Sequence, residues 1–267
     1  MPTATLVMPY ETHAAARKVY SEQHIYVRIG DQLEHLLSGI HLNLLDPLPG
    51  ISADMLFRLA LVSAFQYLER LPDPAAAEAT LRRMDWKYAL CLPAHHPGIA
   101  APVLCAFRKK LLIFPQGMRE FESLLVRLAE LGFGGEDLPD GHEVLSTVCH
   151  ISRLHRVKQA MKSALSVLAT FDPDFLRAHA LPHWYERYKT GPLTTAVWKS
   201  REAMREEAEQ TGKDILHILM AVQKQGLGER FDLAEIWEID QLWKKEFISS
   251  GDQVEWKSIA NATCNCV

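Results

Sequence analysis

The sequence predicts a mainly α-helical protein: an N-terminal helical domain with a helix-turn-helix-like core, followed by a second helical region. Three observations predict this. Apolar residues recur at spacings of three and four over most of the chain, Pro and Gly stand between the periodic runs, and alternating β-branched stretches are almost absent. Glu143 to Val148 is the one plausible strand.

Residues 1 to 24 mix Pro, Thr, Ala and charge without a sustained period, and are expected to form a flexible arm. Ile25, Ile29, Leu33, Leu36, Leu37 and Ile40 then trace a first helix, which Asp46-Pro47-Leu48-Pro49-Gly50 stops. Ser52 is an N-cap candidate for a helix over Ala53 to Leu71, apolar on nearly every side and therefore central to a core. Pro72-Asp73-Pro74 ends it, because neither proline can donate a backbone hydrogen bond. Short helices come next at Ala75 to Met84 and Val103 to Ile113, separated by Asp85 to Leu90 and a loop holding His95, His96 and Gly98. Phe121 to Leu131 is amphipathic and closes on Gly132, Gly134 and Gly135. The acidic, Gly- and Pro-bearing segment Glu136 to Gly141 is the best domain boundary. Beyond it, Val148, Ile151, Leu154, Val157, Met161, Leu165 and Leu168 mark a long helix up to Asp172-Pro173, and Lys199–Gln210, Lys213–Gln225 and Leu233–Phe247 complete the set. The expected organisation is thus an arm (1–24), a helical domain (25–135), a second helical region (136–248) and a tail (249–267).

Composition narrows the function classes. Of 267 residues, 48% are hydrophobic and 23% charged, the profile of a globular chain. Lys plus Arg number 29 against 33 Asp plus Glu, a net charge of −4, so any nucleic-acid contact must come from a local patch. The longest apolar run, Leu59 to Phe65, is far short of the roughly 18 to 20 residues that span a bilayer. With no signal-peptide pattern at the start, the chain is expected in the cytoplasm. Five cysteines without a C-x-x-C pair argue against a disulfide framework and a structural zinc site, as a reducing compartment would have it.

Two basic stretches could carry chemistry. Between Arg70 and Arg119 eight basic residues (Arg70, Arg82, Arg83, Lys87, Arg108, Lys109, Lys110, Arg119) face three acidic ones, a local balance of +5. A duplex rewards such clustering, because each cation near a phosphate releases a condensed counterion, and a helix bearing Arg and Lys fits the major groove. The plainer alternative is that these residues solvate helix faces. A second stretch, Ser146 to Lys162, holds Arg153, Arg156, Lys158 and Lys162 with no acid; it could track a phosphate backbone or form a water-facing helix side. Histidines at 95, 96, 142, 150, 155, 179 and 183 lack ligand spacing beside a carboxylate or Cys, so no metal site is expected. No Walker A loop, G-x-G-x-x-G, G-x-S-x-G or kinase signature is present, and no cofactor is expected. Trp184, Tyr185 and Tyr188 could stack on bases, or bury in a short amphipathic turn. The stretch from Leu233 to Phe247, with Trp237 and Trp243, reads as a helix pressed onto a core or onto a protein partner.

Several pieces of the first domain, in order, carry a resemblance. Leu59-Ala60-Leu61-Val62-Ser63-Ala64-Phe65-Gln66-Tyr67-Leu68-Glu69, Ala76-Ala77-Glu78-Ala79, Met84-Asp85-Trp86-Lys87-Tyr88-Ala89-Leu90, Pro97-Gly98 and Val103-Leu104 with Phe107-Arg108 resemble the N-terminal domain of bacterial insertion-sequence transposases of the InsH type. The Asp-Trp-Lys-Tyr-Ala-Leu piece is the most specific. Further on, His183-Trp184-Tyr185-Glu186-Arg187-Tyr188 is similar to the family's helical insertion, and Leu242-Trp243 with Val254-Glu255-Trp256 is similar to the segment after that insertion. The resemblance implies a helical DNA-binding domain followed by an RNase H-like domain, in which two Asp and a Glu hold two divalent ions that activate water or a 3′ hydroxyl.

The chain departs from that pattern where the chemistry lies. Of the family's Arg-Thr-Asp-Ser-Thr-His stretch only Asp140 survives, and the positions of the second Asp and the Glu lie beyond Val267. One carboxylate cannot hold two divalent ions about 3.5 to 4 Å apart, so Mg²⁺ and DNA cleavage are expected only with a complementing chain. Polar residues the family carries near Ala100 to Pro102, and an acidic one where Cys105-Ala106 stands, are also replaced. The expectation is a truncated or domesticated DNA-binding protein of the bacterial nucleoid, able to form homo-oligomers. Its duplex contacts would be Arg82, Arg83, Lys87, Arg108, Lys109 and Lys110, with Arg153 and Arg156 secondary. The alternative is an interaction subunit that docks on a larger nucleoprotein complex through Trp237 and Trp243.

Overall fold

The computed structural model describes residues 6–40, 51–134, 139–189, 200–224, 234–250 and 253–258. Thirteen helices and one two-stranded sheet occur among these, so the fold is mainly α, and no described helix is long and apolar enough to cross a membrane. The chain forms two compact units, the first running to Cys149 and the second from His150. The division falls inside one helix rather than at the Glu136–Gly141 segment where the sequence places it; residues 135–138 lie outside the described part.

The first unit opens with a helix in the region expected to be a flexible arm. This helix, α1 (Tyr10–Val19), buries the small residues Thr12 and Ala16 and so shows no long apolar stripe. Thr12 Oγ1 donates to Leu92 O at 2.8 Å, and Arg17 makes a bidentate pair with Asp31 at 2.6 and 2.7 Å. The predicted first helix divides into α2 (Ile25–Asp31) and α3 (Leu33–Leu37) at Gln32, whose ψ of 19° interrupts the helical backbone. The predicted stop at residues 46–50 lies outside the described part.

At the centre is α4 (Ala53–Glu69). Ser52 caps it, its Oγ accepting from Met55 N, and every residue from Leu59 to Gln66 is buried, as an apolar helix surrounded by others requires. Arg70 ends it in the left-handed region (φ 55°), where Leu71 N reaches back to Gln66 O at 2.9 Å. After this tight turn come α5 (Asp73–Arg82) and α6 (Met84–Ala89), then α7 (Ala101–Leu112) and α8 (Pro115–Glu130). Gly98, at φ 84°, brings the intervening loop onto α5; a Cβ there would meet the Leu81 backbone at 3.2 Å. Phe57, Phe65, Trp86, Phe107, Phe121 and Phe133 fill the core, each fully burying a large side chain worth about 1.5–3 kcal/mol.

The long helix α9 (Gly141–Phe171) gives Val144 and Leu145 to the first core and Ile151, Leu154, Val157, Met161 and Leu168 to the second. Glu143 to Val148 therefore belongs to a helix, not to a strand. The second unit adds α10 (Pro173–His179), α11 (Trp184–Tyr188), α12 (Arg201–Lys224) and α13 (Ala234–Glu246). Across the start of the expected tail, β1 (Phe247–Ser250) pairs antiparallel with β2 (Gln253–Trp256). Phe247, Val254 and Trp256 turn inward, and the hairpin approaches α12 at Gly212, where a Cβ would lie 2.8 Å from the Phe247 ring.

Candidate functional site

The structure buries three of the eight predicted contact cations, Lys87, Arg108 and Arg153. Arg108 projects from α7 into the core with 0% of its side chain exposed. Its Nη2 donates to Asp73 Oδ2 at 2.6 Å and its Nη1 to Gln66 Oε1 at 3.0 Å, while Gln66 Nε2 donates to the other Asp73 oxygen at 2.9 Å. An arginine, a carboxylate and an amide thus close a triangle among α4, α5 and α7. A charge costs several kcal/mol to bury and is tolerated here because partners meet it on both sides.

Lys87 is likewise internal, with 4% exposure; its Nζ donates to the carbonyls of Ala94 and His96, so the 93–98 loop closes over the ammonium. Arg83 lies over the rings of Tyr26 and Trp86 and binds Glu69 and both oxygens of Asp85. Burial works against this guanidinium, and the bonds it donates to Asp85 and Glu69 outweigh it, holding its pKa above the ordinary value. Glu69 also accepts from the Tyr26 hydroxyl and from Trp86 Nε1. Burial, followed by the Glu69 charge, pushes the Tyr26 phenol well above its ordinary pKa.

The second stretch behaves the same way. Arg153, 2% exposed, donates to Glu246 Oε2 at 2.7 Å and to Lys257 O at 2.8 Å, and lies 4.6 Å from the Trp256 ring centre. Arg156 holds the other Glu246 oxygen at 2.5 Å. Lys158 pairs with Glu207, which Arg187 also binds. Trp184 and Tyr188 are buried, and the Tyr188 hydroxyl donates to the buried Asp214 at 2.7 Å, so these two rings are core rather than a stacking platform; Tyr185 alone of the three stays exposed.

Lys87, Arg108 and Arg153 are therefore corrected as contact candidates because they are buried, whereas Arg83 and Arg156 keep 36% and 26% of their side chains exposed while bonded to carboxylates of their own chain. Outside remain Arg82, 73% exposed and paired only loosely with Glu78 at 3.3 Å, and the half-exposed Lys109 and Lys110. Arg119, from the wider basic stretch, is exposed and bonds Gln116. Asp140 is exposed, and its Oδ1 accepts from Glu143 N at 2.8 Å, capping α9. Among the described residues no group of three or more His, Cys, Asp or Glu is arranged to hold a metal ion.

The two partner-binding candidates on α13 separate cleanly. Trp243 donates its indole N–H to Gly212 O at 2.8 Å and serves the fold, whereas Trp237 is 68% exposed. Cysteine usage also departs from expectation. Cys91 and Cys149 are buried, and Cys105 is disulfide-bonded. Sequence reasoning misses the buried acids Asp73, Asp214 and Glu246, which decide where the cations go; each shares its helix with other, exposed acids, so no sequence signal singles it out.

No known protein family, curated protein or solved structure matches the chain.

Proposed function

We propose that the chain is a transposase-derived DNA-binding protein without a complete active site of its own. One observation supports this best. Residues that carry the resemblance, among them Gln66, Glu69, Trp86, Lys87, Gly98 and Arg108, are tied into one module through mutual bonds and shared neighbours. The residues of the resemblance thus hold the helices of the first unit together, which supports reading that unit as the platform for a DNA-binding surface. Duplex contacts are assigned to the cations left outside, Arg82, Lys109, Lys110 and Arg119, and not to the buried ones. Asp140 acts as a helix cap, and a single carboxylate does not support two-metal cleavage.

Fluorescence anisotropy with duplex DNA at graded salt tests this. Each phosphate contact contributes about 0.9 to the slope of log K against log salt, so Arg82→Ala with Lys110→Ala lowers the slope by about 1.8 while the melting temperature holds. Folded wild-type protein that binds no duplex, or binds without salt dependence, overturns the proposal.

A second reading, a subunit docking on a nucleoprotein complex, is favoured by Trp237 alone, since a large aromatic at two-thirds exposure is the side chain type that anchors interfaces. It expects Trp237→Ala to lose a co-purifying partner with no change in melting temperature. An unchanged set of co-purifying proteins removes it.

A further inference from the structure

We draw no further inference here: the strongest candidate, the cleft of about 780 Å³ between the N-terminus of α12 and the β1–β2 hairpin, carries no ligand assignment because Arg205 and Lys257 are already engaged by Glu209 and Lys244 O, while His150 packs against the Trp256 ring.

Discussion

The two units solve the same electrostatic problem over different chain distances. In the first, Arg108 meets Gln66 and Asp73 at sequence separations of 42 and 35, all within one run of neighbouring helices. In the second, Arg153 and Arg156 reach Glu246 across separations of 93 and 90. The first arrangement ties together helices that succeed one another closely in the chain. The second needs α9 and the end of α13 to be brought together before either arginine is satisfied. A basic residue in the sequence therefore reveals little about surface charge until its acid is found, and the acid is hardest to find when it is remote.

Removing the acid should expose the difference most strongly. Glu246→Ala takes the carboxylate from two arginines at once and leaves the 2%-exposed Arg153 with only a neutral carbonyl, Lys257 O, among the bonds described above, and breaking a buried pair from one side costs about 3–5 kcal/mol. Asp73→Ala leaves Arg108 still bonded to Gln66 Oε1, so its loss should fall at or below the lower end of that range. Urea titration followed by circular dichroism checks this, with the joint variant Arg108→Met and Asp73→Leu recovering most of the Asp73→Ala deficit because no buried charge is left alone. Equal losses for Glu246→Ala and Asp73→Ala would erase the distinction between near and remote clamps.

Alkaline pH sharpens the comparison at smaller effect. Tyr26 and Tyr88 in the first unit and Tyr188 in the second have folded-state pKa values raised, by burial first and by Glu69, Asp31 and Asp214 respectively. A raised folded pKa means that stability is complete below the unfolded value, near 10, and declines as pH climbs beyond it. Both units should weaken above about pH 10. Tyr188→Phe should flatten that decline in the second unit alone, and Tyr26→Phe in the first alone, as read by the pH dependence of the urea midpoint. A decline indifferent to both changes would place the titration elsewhere.

Legibility divides along the same line. The helices over 53–71, 75–84, 103–113 and 121–131 are visible in the sequence because their periodicity is local and Ser52, Pro72, Gly132 and Gly134 punctuate them. The N-terminal helix is not, because α1 buries Thr12 and Ala16, small residues with no apolar signature, against partners that include Leu92, eighty positions away. The hairpin escapes notice because only β2 alternates, burying Val254 and Trp256, while β1 buries Phe247 alone, and four-residue strands give too few repeats to stand out beside helices. The candidate site is the least legible. Sequence ranks Arg82, Lys87 and Arg108 alike, yet their exposures run from 73% through 4% to 0%, settled by Glu78, the 93–98 loop and Asp73.

The smallest effect concerns the turn that makes the first unit's clamp local. Arg70 holds the left-handed conformation that lets α5 succeed α4 so closely, and for a residue with a Cβ that conformation costs about 1–2 kcal/mol. Arg70→Gly relieves the strain but forfeits the stacking of the guanidinium 4.3 Å from the Tyr67 ring centre, an exposed cation–π contact of about 0.5–1 kcal/mol, and adds freedom to the unfolded chain. The three contributions nearly cancel, so the urea midpoint should shift little, at unchanged slope. In the Asp73→Ala background the same small shift should recur, because the turn and the buried carboxylate hold α5 independently; a different shift there would show that the clamp, and not the backbone, sets the approach of the two helices.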